Sequence, residues 1–157
     1  MSQTTNMLPV GRSVSVIYAD DLREEVGGKI SIIGVYPVKM VFPSFPAVLP
    51  KLAIFLTATC SVEAPFKKLE VQVHKGEELI FQKSLTDEEL HQLASAPAIQ
   101  DTTELRAIEA NFLILHGPVQ ITERCFIRPT VVTEDGAMHT KMLIIESAQD
   151  AAASNGK

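Results

Sequence analysis

Leu52, Ile54, Leu56, Ala58 and Cys60 fall on one parity while Thr57, Thr59 and Ser61 fall on the other. A two-residue period of this kind puts one set of side chains on a buried face and the other on solvent, as a half-buried strand requires. The period recurs along the chain. Val14, Val16 and Tyr18 share a parity, and Leu69, Val71 and Val73 interleave with Lys68, Glu70, Gln72 and His74. Lys29 to Val41 and Ala110 to Leu115 are apolar runs rich in Ile, Val and Leu that also read as strands. About nine strands at spacings of roughly ten residues predict an all-β protein. Two packed antiparallel sheets are expected, a β-sandwich for which Ig-like or C2-like Greek-key connections are an option. An open β-barrel is the alternative, since strand order and closure are not encoded in periodicity.

Punctuation between the runs refines this outline. A turn containing Gly76 predicts a hairpin in which His74 faces Glu78, Val73 faces Leu79 and Val71 faces Phe81. Thr86-Asp87-Glu88-Glu89 matches a capping box and predicts one short helix over Asp87 to Ser95, ended before Pro97. Asp135-Gly136 predicts a two-residue turn joining Val119–Val132 to Met138–Glu146, with Thr133 opposite Met138, Ile127 opposite Ile144 and Phe126 opposite Ile145. Pro43, Pro46 and Pro50 rule out a central strand across Phe42 to Pro50, which reads as a stiff connection covering one end of the core. Residues 1–148 are expected to form a single domain, and Gln149 to Lys157 a disordered tail.

With 157 residues, 46% of them hydrophobic, the chain can bury a core without staples. A net charge of −5, with Lys67-Lys68 as the longest basic run, argues against nucleic acid as a partner, because phosphate binding needs clustered cations. The opening MSQTTNMLPVGR lacks a secretory pattern, and charges interrupt every apolar run before membrane-spanning length. No membrane association and a cytoplasmic location are expected. Cys60 and Cys125 read as free thiols of a reducing compartment.

Asp20 to Tyr36 (DDLREEVGGKISIIGVY) combines charge and backbone freedom more densely than any other stretch. It reads as a charged turn or short helical turn ending at Gly27 or Gly28, followed by a strand. Asp20, Asp21, Arg23, Glu24, Lys29 and Tyr36, with Phe42 and Phe45 from the proline-rich connection, form the candidate interaction surface. Asp20, Asp21, Glu24 and Glu25 also offer hard oxygen ligands for Ca²⁺, with Asp101, Glu104 or Asp135 contributing from other loops, although the spacing does not match an EF-hand. Gly28-Lys29-Ile30-Ser31 fails as a phosphate loop because Ser31 is displaced by one residue and a strand follows. His74, His91, His116 and His139 lack metal-binding spacing, and no serine stands in a nucleophile elbow. No catalytic residue, cofactor or metal is therefore assigned.

Tyr18-Ala19-Asp20-Asp21-Leu22-Arg23-Glu24-Glu25, then Gly28-Lys29-Ile30-Ser31-Ile32-Ile33-Gly34-Val35-Tyr36 and Leu49-Pro50-Lys51-Leu52, resembles a family of small uncharacterised bacterial and phage-associated proteins. The resemblance covers roughly the first third of the chain and implies a bacterial or phage origin without implying an activity. The expected function is that of a non-enzymatic module that binds another protein or itself. A small-ligand or Ca²⁺-binding domain is the second reading. A hydrolase or lyase, with Asp20 or Asp21 converging on His116 or His139, is the third.

Overall fold

The computed structural model describes residues 11–97, 99–100 and 106–154. Alternating residues form the expected strands, arranged as β1 (Ser13–Glu25), β2 (Lys29–Tyr36), β3 (Lys39–Phe42), β4 (Ala47–Leu49), β5 (Leu52–Ser61), β6 (Leu69–Lys75) and β7 (Glu78–Ser84), then α1 (Asp87–Ser95), β8 (Ile99–Gln100), β9 (Arg106–His116), β10 (Val119–Ile121), β11 (Cys125–Thr133), β12 (Gly136–His139), β13 (Leu143–Ser147) and α2 (Ala148–Ser154). One sheet runs β2-β1-β5-β9-β8 and is antiparallel throughout. The other runs β3-β13-β11-β6-β7, with β12 also pairing β11 and a parallel contact between β13 and β3. β4 and β10 form a separate two-stranded ribbon. Neither sheet closes into a barrel, and the fold is an all-β sandwich.

The core lies between the two sheets. Leu52, Ile54, Leu56, Ala58 and Cys60 of β5 meet Leu69, Val71 and Val73 of β6 and Ile127 and Val131 of β11, all of them buried. Tyr18 crosses from the first sheet to the second, its hydroxyl donating to the carbonyl of Lys141 at 2.6 Å, and burial pushes its phenol pKa up. Arg12 ties the sheets together at the end where β1 begins. It pairs with Glu134 and with Asp135, the latter at 2.8 Å, while its guanidinium lies 5.0 Å from the Phe66 ring centroid. Glu134 also accepts the amides of Lys67 and Lys68. Burial alone would raise its pKa, but the Arg12 hydrogen bond and these amides hold it down at about 2.

Several expectations need correction. β1 continues as strand through the charged segment to Glu25, because Leu22 and Ile32 are paired and partly or fully covered, which favours extended backbone over a helical turn. The β6–β7 turn is Gly76-Glu77, closed by Lys75 opposite Glu78 with a 2.9 Å ion pair. A bulge beside Val73 and His74 then sets Val73 against Phe81, so Leu79 faces solvent. Residues 119–132 are two strands, β10 and β11, and the return strand is likewise divided into β12 and β13. The turn between β11 and β12 is Glu134-Asp135: the Thr133 hydroxyl accepts the Asp135 amide at 3.2 Å, and Arg12 fixes Glu134. Thr133 therefore faces Gly136, and Ile127 faces Leu143 in place of Ile144. That slip sends Ile127, Leu143 and Ile145 into the core together.

The tail also differs, since Ala148–Ser154 is helical. Ser147 and Asp150 cap it reciprocally, each accepting the other's backbone amide at 3.1 Å. Residues 155–157 lie outside the described part. Helix α1 matches its expected span, and the Thr86–Glu89 capping box forms. The proline-rich connection covers core: Leu49 is buried, and half-buried Phe42 and Phe45 pack on the main cluster with ring centroids 6.4 Å apart. Neither described helix is long and apolar enough to cross a membrane.

Candidate functional site

β1 is longer than its inner neighbour. Its pairing with β5 ends at Ala19 opposite Ala53, whereas its pairing with β2 continues to Glu25 opposite Lys29. Asp20 to Glu25 and Lys29 to Gly34 thus form a two-stranded arm extending past the body of the sheet. Gly27 and Gly28, at φ +85° and +74°, make its tip, where few other residues adopt such backbone angles. Six of the eight sequence-predicted surface residues, Asp20, Asp21, Arg23, Glu24, Lys29 and Tyr36, lie on this hairpin. Phe42 and Phe45 do not join them, being part of the core cover.

The arm's charges hold its base. Asp21 accepts Lys51 Nζ at 2.5 Å and Arg23 Nε at 3.1 Å, and these hydrogen bonds, Lys51 first, lower its pKa. Tyr36 packs its ring on the main core and donates its hydroxyl to Asp20. Burial, reinforced by the Asp20 hydrogen bond, pushes the Tyr36 phenol up to about 12. Gly34, at φ +69°, lies directly against the Asp20 carboxylate, so a side chain there would collide with it. Glu24, Glu25 and Lys29 are exposed.

Beside this arm lies an apolar surface that the sequence reading did not single out. Residues directly opposed in a ladder share a face. Val35 of β2 faces Ala19, Ala19 faces Ala53, and Ala53 faces Leu115, which makes one row across four strands. Ile17, Phe55 and Leu113 make the adjacent row. All of these point away from the main core. Ala19, Ala53 and Leu22 form a second small buried cluster, with Ile32 and Phe55 half-buried against it. Its rim is open: Val35 is 56% exposed, Leu115 54% and Leu113 38%. Farther along the same face the rows become polar, with Ser15–Thr57–Asn111 and Ser13–Thr59–Glu109.

The alternative chemistries find weaker geometry. Asp20 is bonded to Tyr36 and Asp21 to Lys51 and Arg23, while Asp135 pairs with Arg12 at the other end of β1. Among the described residues no group of three or more His, Cys, Asp or Glu gathers at metal-binding distance. Asp101 and Glu104 lie outside the described residues. His139 Nδ1 is 3.3 Å from Thr130 Oγ1 on the second sheet, and no hydrogen bond among the described residues joins either aspartate to a histidine. Cys60 is buried and Cys125 half-buried, both are free, and burial raises both thiols, the reverse of nucleophile activation.

No family model matches the chain, and no curated protein or solved structure shows significant similarity to it.

Proposed function

We propose that this protein is a non-enzymatic binding module that docks another protein chain, or a second copy of itself, on the outer face of its five-stranded sheet beside the β1–β2 arm. The observation that carries this reading is the apolar surface of Val35, Leu113 and Leu115, exposed around half-buried Phe55 and the buried Ala19 and Ala53. A sandwich needs apolar residues on the inner face of each sheet, and the outer face is normally polar, as it is here only toward Thr59 and Glu109. A contiguous exposed apolar patch rimmed by charge marks an interaction site. Asp21, Lys51 and Arg23 supply that rim, already paired and held in place. The resemblance to small bacterial and phage-associated proteins adds no activity that would compete with this reading.

The test compares wild type with a Val35→Lys/Leu115→Lys double variant in extracts of the cells that make the protein. Wild type is expected to elute in a complex that the double variant fails to enter while keeping its melting temperature. Co-elution of both at the single-chain position would overturn the proposal.

A further inference from the structure

We infer that the outer face of the second sheet is a further docking surface, and that its occupant is an acidic segment of another protein, one that sets carboxylates beside aliphatic side chains. On this face Arg128 stands opposite His74, and His74 opposite Leu79. Met142 flanks Arg128 on its other side, the sulfur accepting from the guanidinium at 3.1 and 3.2 Å. A thioether is a weak acceptor. Among the described residues no carboxylate pairs with Arg128. The next row joins Lys39, Ile144 and Phe126, and the row beyond it sets Val41 beside Glu146.

Glu146 is 1% exposed, so its carboxylate lies beneath this surface. It accepts Lys39 Nζ at 2.9 Å and lies 3.7 Å from Arg124 Nε, while the Arg124 guanidinium sits 5.2 Å from the Phe126 ring centroid. A carboxylate buried this far adds little stability over an apolar side chain of similar size. What it supplies here is placement, since it fixes two exposed cations without itself reaching solvent. Asp150 of α2 is also near Arg124, but its carboxylate is bonded to the Ser147 hydroxyl and amide at 2.8 and 3.1 Å. Lys39, Arg124 and Arg128 thus present positive charge on one face of a chain whose net charge is −5.

Charge complementarity selects an acidic occupant, and the rest of the face selects protein over nucleic acid. Phe126 is half-buried with Arg124 over its ring, which leaves no free aromatic platform for base stacking. Val41, Leu79 and Met142 are exposed between the charges. Carboxylates alternating with aliphatic side chains match that pattern, and an arginine fork takes a carboxylate through two parallel hydrogen bonds.

Fluorescence anisotropy on the purified full chain tests the assignment with two short labelled peptides, one alternating glutamate with leucine and the other lysine with leucine. Wild type is expected to bind the glutamate peptide saturably, to lose affinity as salt is added, and to leave the lysine peptide unbound. Arg128→Glu should raise the dissociation constant by roughly tenfold or more at an unchanged melting temperature. Leu79→Glu, an acid placed in the same row, should weaken binding in the same direction. Lys67→Glu, in the longest basic run, and Leu115→Lys, on the first sheet, should bind as wild type does. Failure of wild type to bind the glutamate peptide, or equal binding by Arg128→Glu, would overturn the inference. So would tighter binding of a labelled oligothymidine, or a doubled mass of wild type alone in light scattering that Arg128→Glu returns to the single-chain value, which would give the face to a second copy. The first docking face is decided separately, by the extract comparison with the Val35→Lys/Leu115→Lys variant.

Discussion

The two faces of the β2-β1-β5-β9-β8 sheet are built from the same strands but differ in what accounts for their apolar residues. On the inner face, β5 contributes Leu52, Ile54, Leu56, Ala58 and Cys60, apolar from end to end and closed by the second sheet. On the outer face, Ala53 and Phe55 give way to Thr57, Thr59 and Ser61 along the same strand. Folding explains the inner set completely, because the hydrophobic effect favours their removal from water. It explains the outer set only as far as the small cluster of Ala19, Leu22 and Ala53. Val35, Leu113 and Leu115 around that cluster stay in water in the isolated chain. The lesson is that folding of the single chain leaves apolar side chains uncovered at the arm end of the sheet, and the proposed docking reading assigns them to contact outside the domain.

Five substitutions probe that contrast and the contacts around it. Leu56→Ala, on the inner face, should lower stability by about 2–5 kcal/mol in denaturant titration, through lost burial and an unfilled cavity. Gly34→Ala, at the base of the arm, should cost about 1–3 kcal/mol, since it places a side chain in a left-handed conformation and against Asp20. Urea melts of Gly34→Ala alone and combined with Asp20→Gly would separate the two causes, with partial recovery expected in the pair.

The Arg12–Glu134 tie gives a pH signature. Glu134 titrates near 2 in the folded chain against an ordinary 4.5, so its stabilising effect is complete above pH 4.5 and is lost as pH falls through that interval toward 2. Subtracting the stability profile of Glu134→Gln from that of wild type should leave a difference of about 1–3 kcal/mol that fades over this range, with side-chain exposure of 24% keeping it modest. A difference that stayed flat with pH would remove the tie from the account. Smallest of all, Leu115→Lys on the outer face should shift stability by no more than about 0.5 kcal/mol. A loss as large as that of Leu56→Ala would mean that the outer patch is internal to the fold, and the contrast between faces would collapse.

Periodicity made much of the sandwich legible, because the parity of β1, β5 and β6 follows directly from which residues must be buried. Helix α1 was legible from its capping box. Registers were harder. The Glu134-Asp135 turn depends on Arg12, more than a hundred residues away in sequence, and the β6–β7 bulge depends on which of Leu79 and Phe81 finds core. Helix α2 had a local signal in Ser147-Ala148-Gln149-Asp150, a capping pattern that its small polar neighbours obscured.

The charged half of the site was visible as a composition anomaly, although its strand conformation was not, because cover for Leu22 comes from Ala19 and Ala53 on another part of the sheet. The apolar half had a signal of its own. Leu52-Ala53-Ile54-Phe55-Leu56 and Phe112-Leu113-Ile114-Leu115 are apolar on both parities, and a strand at the outside of a two-sheet sandwich needs apolar residues on only one.

Photo-cross-linking along β9 tests the docking face most directly. A photoreactive phenylalanine analogue would be placed at Leu115 in one sample and at Glu109 in another, two positions of the same strand and the same outer face. After irradiation in the cells that make the protein, a discrete higher-mass adduct is expected from position 115 and none from position 109. Adducts of equal yield at both positions, or none at 115, would contradict the assignment of this face to binding.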